Sequence, residues 1–149
     1  MKPNTYAPQL PLPTRPDLPG LDIVVPFTTR PLTRAALTAA ERLSAGLLPL
    51  IRMVRTQVVP FPLQLESAPV STAVLRQQFA PLAEEFGAYM QICFTRDNRE
   101  GLLHALATNS LVVIAARRHW WKSREERLAI WLRRRGWNVV LEFVEKNNA

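Results

Sequence analysis

Short apolar runs rich in β-branched residues alternate with longer amphipathic stretches along most of this chain. The runs are short enough to be strands, and they lie at residues 21–27, 51–59, 89–95, 111–116 and 139–144. The stretches between them have the apolar spacing of helices and lie at residues 30–45, 71–86, 98–107 and 124–135. Strands that alternate with helices predict a parallel sheet joined by right-handed crossovers. The predicted fold class is therefore α/β, a doubly wound five-stranded parallel sheet flanked by helices.

The polarity of the strands also predicts their order in the sheet. The first and fourth runs are apolar without a break, at residues 23–25 and 111–116, which is typical of strands buried on both faces. The other three contain polar side chains, as outer strands can: Arg52, Arg55, Gln57, Gln91, Glu142 and Glu145. The first and fourth strands are therefore the predicted central pair, and the order is 3-2-1-4-5. In such a sheet the ligand crevice lies beyond the carboxyl ends of the central pair.

Helix boundaries are marked most clearly at the fourth predicted helix. Ser123 and Glu126 have the spacing of a capping box before it, and Gly136 follows its end. Asp97 and Glu100 have a similar spacing before the third helix. Pro81 lies inside the second helix and predicts a kink or a break there.

Composition narrows the class of protein further. A chain of 149 residues has the usual size of one domain. Cys93 is its only cysteine, which excludes an intramolecular disulfide and favours a reducing, cytoplasmic environment. With only two histidines beside it, a zinc-type metal site is not expected. No segment has the apolar length of a signal sequence or a membrane span. The net charge of +7 favours an anionic partner.

Two proline-rich segments lie outside the predicted helices and strands. Residues 1–20 contain six prolines, a density that disfavours helices and sheet ladders. They are predicted to be a disordered arm before a domain at residues 21–149, and the alternative is a ligand for a proline-recognising partner. Residues 58–70 connect the second strand to the second helix. This connection is predicted either to lie over the carboxyl edge as a lid, or to cover a hydrophobic flank or a homodimer contact.

The chain resembles a divergent member of the universal stress protein family over residues 21–144. The resemblance rests on the element order, on LDIVVPFTT running into a helix, and on SLVVIAARRHWW followed by a helix and WNVVLEFV. It implies a nucleotide-binding type of α/β fold, with a stress-response or ligand-sensing role. The family's first strand typically ends in an aspartate that meets the adenine-ribose part of ATP, where this chain has Pro26 or Phe27.

The family's phosphate-binding glycine stretch is also replaced here. It typically follows the fourth strand, where this chain has the run AARRHWW at residues 115–121 and no glycine before Gly136. A backbone that approaches phosphates closely needs glycine. The resemblance therefore implies the fold and the position of the crevice. We predict a non-enzymatic module without a cofactor that does not bind ATP in the family's manner.

The segment that replaces the glycine stretch is strongly basic. Residues 117–135 contain eight cations and two anions, together with three of the four tryptophans. Its first part predicts an anion or phosphate site next to a helix N-terminus, formed by Arg117, Arg118, His119, Lys122 and Ser123. Trp120 and Trp121 are candidates for stacking on a base. The partner would be a phosphate-bearing small molecule, or alternatively nucleic acid or another acidic surface. The simpler interpretation is a solvated basic face with tryptophans that cover the sheet edge.

Other reactive side chains do not form a predicted catalytic site. Cys93 lies in the middle of a strand and is expected to be a buried apolar side chain, while His104 is expected to be exposed. Glu84 and Glu85 are expected to be solvated. Asp22 lies at the far end of the first strand from the crevice. No catalytic residue and no metal ligand is therefore assigned.

Overall fold

The computed structural model describes residues 4–8, 21–67 and 71–145. The strands are β1 (Thr5–Tyr6), β2 (Asp22–Pro26), β3 (Leu50–Val58), β4 (Tyr89–Thr95), β5 (Ser110–Arg117) and β6 (Asn138–Val144). The helices are α1 (Arg30–Leu43), α2 (Thr72–Glu85), α3 (Asn98–Ala105) and α4 (Arg124–Arg134), with a short 3-10 helix at Leu65–Ser67. The predicted α/β class is confirmed, and the fold is Rossmann-like.

The sheet in the described part of the chain has six strands in the order β1-β4-β3-β2-β5-β6. The five strands from β4 to β6 in this order are parallel to one another. They include the expected central pair, because Val24 of β2 lies opposite Val112 of β5. We predicted five strands, and this number is wrong because β1 adds a sixth, antiparallel strand beside β4. The predicted strand order is therefore also wrong for the whole sheet.

β1 belongs to the proline-rich arm, for which we expected no sheet ladder. Thr5 and Tyr6 lie opposite Thr95 and Phe94 of β4, and the Tyr6 ring stacks against the Phe94 ring at 6.4 Å. They form a ladder because both residues lie between prolines and keep their own N–H groups. The expectation is therefore wrong for Thr5 and Tyr6. Residues 1–3 and 9–20 of the arm lie outside the described residues.

Two hydrophobic clusters cover the two faces of the sheet. Ile23 and Val25 pack with buried residues of α1 and α2, whereas Val24 packs with buried residues of α3 and α4. This alternation follows from the two-residue period of a strand. Cys93 is buried in the second cluster, as expected, and burial raises the pKa of its thiol to about 11, against a smaller opposite effect of Arg52.

The connection after β3 packs on a flank of the sheet. Val59 and Leu65 are buried against Leu75, Ile92 and Phe94. The described part of this connection, residues 58–67, therefore covers the hydrophobic surface between α2 and β4. These residues line neither of the two clefts described below, which agrees with the flank interpretation, and the lid interpretation stays a prediction. Residues 68–70 lie outside the described residues, and the homodimer contact stays a prediction.

The helix ends near the carboxyl edge agree with the capping residues in the sequence. Ser123 Oγ accepts a hydrogen bond from the N–H of Glu126 at 3.2 Å, and α4 begins at the next residue. Asp97 Oδ1 accepts from the N–H groups of Arg99 and Glu100 at the start of α3. We expected a kink or a break at Pro81. Helix α2 continues through this residue, so it does not break there, and the kink stays a prediction.

Candidate functional site

The carboxyl ends of β2 and β3 open into a cleft between the first turns of α3 and α4. The cleft has a volume of about 440 Å³. Its walls are residues 26–29 after β2, residues 54–56 of β3, and side chains of the two helices. This is the edge at which α/β sheets hold ligands, because the loops from neighbouring strands diverge there. We call this space the carboxyl-edge cleft.

The lining of the carboxyl-edge cleft combines apolar side chains with cationic and neutral polar ones. It includes three arginines, Arg55, Arg99 and Arg124, and one carboxylate, Glu125. Neutral hydrogen-bonding side chains come from Thr28, Thr29, Thr56 and Asn98. The formal charge of these lining residues is +2, from three cations and one anion. The cleft therefore favours a negatively charged occupant.

Arg55 is partly withdrawn from water near the end of β3. Its guanidinium lies over the rings of Phe27 and Phe79, with its central carbon 5.4 and 5.1 Å from the ring centres. Nη1 donates to the carbonyl oxygen of Thr56 at 2.7 Å, but Nε is buried without a hydrogen-bond partner in the described structure. Burial lowers the pKa of Arg55. Nη2 donates to Gln57 Oε1 at 3.5 Å, so Nε is the one guanidinium nitrogen of Arg55 without a partner in the described structure.

Arg99 and Arg124 lie in the first turns of α3 and α4 and are exposed. The Arg99 guanidinium stacks over the Trp131 ring at 5.0 Å, which connects α3 to α4 across the cleft wall. Among the described residues, neither arginine forms a salt bridge with a carboxylate. These two charges are therefore available to an anion from solvent.

A second cleft, of about 330 Å³, lies between α1 and the loop that connects β5 to α4. Three of the predicted anion-site residues line it: Arg117, His119 and Ser123. Arg118 and Lys122 do not line it, and the Arg118 guanidinium lies over the Phe143 ring at 4.9 Å. The structure thus brings only part of the predicted cluster together.

The two candidate stacking residues are on the surface of this loop. Trp120 is 92% exposed and Trp121 is 51% exposed. The rings of His119 and Trp121 are parallel, with centres 4.7 Å apart, while Trp120 meets Trp121 at 88° and 5.0 Å. The simpler interpretation expected the tryptophans of this segment to cover the sheet edge. The exposure of Trp120 disagrees with that expectation.

The opposite, amino end of the sheet holds a buried ionic network. The Asp22 carboxylate accepts from Arg52 Nε at 2.9 Å and Nη2 at 2.7 Å, and from Ser110 Oγ at 2.5 Å. Arg52 Nη1 donates to Gln91 Oε1 at 2.7 Å and to the carbonyl oxygen of Ala105 at 2.8 Å. The network joins four neighbouring strands and the end of α3. Because its charges are buried and paired, it is a structural feature rather than a binding site.

Sequence reasoning missed Arg55, Arg99 and Arg124 as members of one site. They belong to a strand and to two helices that are far apart along the chain, and only the crossover topology brings them together. One signal was available. Each arginine lies near the carboxyl end of a predicted strand or in the first turn of a predicted helix, and these positions meet at one edge of a parallel sheet.

Among the described residues, no group of three His, Cys, Asp or Glu side chains could hold a metal ion. The same residues include no helix whose length and apolar character would let it cross a membrane. No known protein-family model matches the chain, and no curated protein matches it either. The geometry of the carboxyl-edge cleft is therefore the basis for inferring function.

Proposed function

We propose that this protein is a non-enzymatic ligand-sensing module of the universal stress protein type, and that it binds a small phosphate-bearing molecule in the carboxyl-edge cleft. The observation that carries the proposal is the convergence of Arg55, Arg99 and Arg124 on one cleft with a single carboxylate. The cleft volume of about 440 Å³ is typical of small-molecule sites, which span about 300–1,000 Å³.

Arginine at these positions favours a phosphate or a carboxylate over other ligands. Its planar guanidinium can donate two parallel hydrogen bonds to either group, and such charge-assisted bonds are about twice as strong as neutral ones. Arg55 has already lost part of its hydration and lacks a partner for Nε. An anion in the cleft therefore meets the exposed side chains of Arg99 and Arg124, because the unpartnered Nε of Arg55 is itself buried.

The proposed mode of binding differs from that of the family that the chain resembles. The loop after β5 has no glycine, and none of the described non-glycine residues has a positive φ. Backbone N–H groups in such a loop are screened by side chains and cannot form a close phosphate cradle. Side chains would hold the anion instead. We accordingly expect no appreciable heat when sub-millimolar MgATP is titrated into the protein in a calorimeter.

Thermal unfolding in the presence of inorganic phosphate tests the proposal. A ligand that binds only the folded state at ten times its Kd adds about 1.4 kcal/mol to the free energy of unfolding. For a chain of this size the melting temperature should rise by roughly 3–6 °C. We expect Arg99→Ala combined with Arg124→Ala to abolish the rise. Chloride at the same ionic strength is the control for general screening.

A matched variant separates the site from the overall charge of the protein. Arg133→Ala combined with Arg134→Ala removes two exposed arginines from the last turn of α4, away from the cleft, and should leave the phosphate effect intact. Equal loss in both double variants would contradict a site in the cleft. Loss only when Arg118 and Lys122 are replaced by alanine would instead place the anion at the loop after β5.

A further inference from the structure

The loop between β5 and α4 presents an unusual combination of aromatic side chains to solvent. Trp120 is 92% exposed, whereas Trp131 and Trp137 are partly buried against the core. Tryptophan is on average one of the more buried residue types in folded proteins. Trp120 forms a patch of three rings with Trp121 and His119, and we call this patch the aromatic loop. Trp120 belongs to neither of the two hydrophobic clusters that cover the sheet, so it does not serve the packing of the core.

The ring geometry leaves most of Trp120 accessible to a ligand. His119 and Trp121 stack face to face with an interplanar angle of 4°, so they partly cover each other. Trp120 touches Trp121 at 88°, an edge contact that covers little indole surface. An exposed indole of this kind can accept a flat ring against its face. Base stacking on aromatic side chains is the usual form of such a contact, and it tolerates any base.

Cations flank the aromatic loop on both sides. Arg117 and Arg118 precede it, Lys122 follows it, and Arg127 lies one turn into α4. Residues 117–124 contain no carboxylate, and in the part of the chain that the structure describes none of these four cations forms a salt bridge. Single-stranded nucleic acid has the complementary pattern, because flat bases alternate with phosphates along its backbone.

We propose that the aromatic loop binds single-stranded nucleic acid, with a base stacked on Trp120 and phosphates held by Arg118 and Lys122. The proposal does not rest on the carboxyl-edge cleft, since it uses neither Arg99 nor Arg124. A duplex fits the loop less well, because its bases are already stacked on one another. A membrane surface also fits less well, because the two tryptophans lie between charged side chains rather than on the apolar face of an amphipathic helix.

Fluorescence anisotropy with a labelled oligothymidylate tests this assignment, and a blunt duplex of the same length is measured in parallel. We expect Trp120→Ala to weaken the affinity for the single strand by about 5- to 150-fold, the range of one lost stacking contact. Trp120→Phe should restore most of it. Lys122→Ala should lower the slope of log affinity against log salt by about 0.7, as for one phosphate contact, while Trp120→Ala leaves the slope unchanged.

The matched control is Phe61→Ala, which removes another exposed aromatic ring, 77% exposed, from the flank near β4. It should bind like the unmodified protein, and circular dichroism should show that both alanine variants are folded. Equal affinities of the Trp120 and Phe61 variants for the single strand would overturn the proposal. Tighter binding of the duplex would also overturn it. So would Trp120-dependent binding to vesicles of anionic phospholipid without binding to the oligonucleotide.

Discussion

At the amino end of the sheet, Arg52 is buried and each nitrogen of its guanidinium has an acceptor. Near the carboxyl end, Arg55 lies only three residues later on the same strand, yet its Nε has no partner in the described structure. Arg99 and Arg124 beside it are exposed and form no salt bridge with any described carboxylate. The same residue type therefore stabilises the fold at one end and remains available to a ligand at the other.

The physical reason for the difference is the surroundings of each guanidinium. At the amino end, Asp22 and Ser110 begin the two central strands. The Asp22 carboxylate accepts from Arg52 of the neighbouring strand and from the Ser110 hydroxyl. At the carboxyl end the chain diverges into loops and helix N-termini, and the lining includes one carboxylate for three arginines. The following predictions test this comparison.

The largest effect is expected from Asp22→Ala. The change leaves Arg52 buried without its counter-ion, and breaking one side of a buried pair typically costs about 3–5 kcal/mol of unfolding free energy. Urea titration followed by circular dichroism measures the loss. The double variant Asp22→Ala with Arg52→Met is the control, and it should lose less than the single variant because no buried charge remains unpaired. A single variant within about 1 kcal/mol of the unmodified protein would contradict a buried network.

A smaller effect is expected from Gly101→Ala in α3. A Cβ at this position would lie 2.8 Å from Thr95 Cγ2, so the helix and the sheet could not keep their present distance. Thr95 cannot turn away freely, because its hydroxyl donates to the carbonyl oxygen of Asp97 at 2.7 Å. Overpacking of this kind costs about 1–3 kcal/mol in urea titration. Since α3 carries Arg99, the protection by phosphate should weaken as well.

The control for Gly101→Ala is the same substitution combined with Thr95→Ser. Serine keeps the hydroxyl but lacks the methyl group that the new Cβ would meet, so the double variant should be less destabilised than the two single effects added together. Strict additivity of the two changes would show that the contact with Thr95 Cγ2 is not the cause.

The smallest effect on stability is expected from Arg124→Ala. This side chain is exposed in the first turn of α4, and surface substitutions of this kind usually change the unfolding free energy by less than about 0.5 kcal/mol. Protection by phosphate should fall all the same, as measured in the same melting experiment. A loss of stability above about 1 kcal/mol would show that Arg124 supports the fold, and the difference between the two ends would disappear.

Much of the fold could be predicted because strand polarity follows burial. The unbroken apolar runs of β2 and β5 indicated the central pair, and the structure places these strands side by side. Polar side chains in β3 predicted an outer strand, but one of them, Arg52, is buried rather than solvated. Its partner Asp22 lies 30 residues earlier, and no local pattern reveals such a pair. Strand β1 was missed because two residues are too few to show a period.

The candidate site was less predictable than the fold. The loop after β5 attracted the prediction because its cations are consecutive, yet only some of its side chains reach a common cleft. The arginines of the carboxyl-edge cleft are dispersed in the sequence, and their proximity follows from how α3 and α4 dock on the sheet. Charge density along the chain thus predicts an anionic partner, whereas the position of the proposed site depends on tertiary structure.

Strand β1 also affects how separate molecules meet. Next to Phe94 and Thr95, the outer edge of the sheet would otherwise offer unpaired backbone groups such as the N–H of Arg96, and open sheet edges of this kind promote aggregation by adding strands from other chains. Thr5 and Tyr6 lie opposite these two residues and run antiparallel to them, and Arg96 N–H donates to the carbonyl oxygen of Asn4 at 3.0 Å. A short piece of the proline-rich arm thereby occupies the end of this edge, where a strand from another chain would otherwise pair.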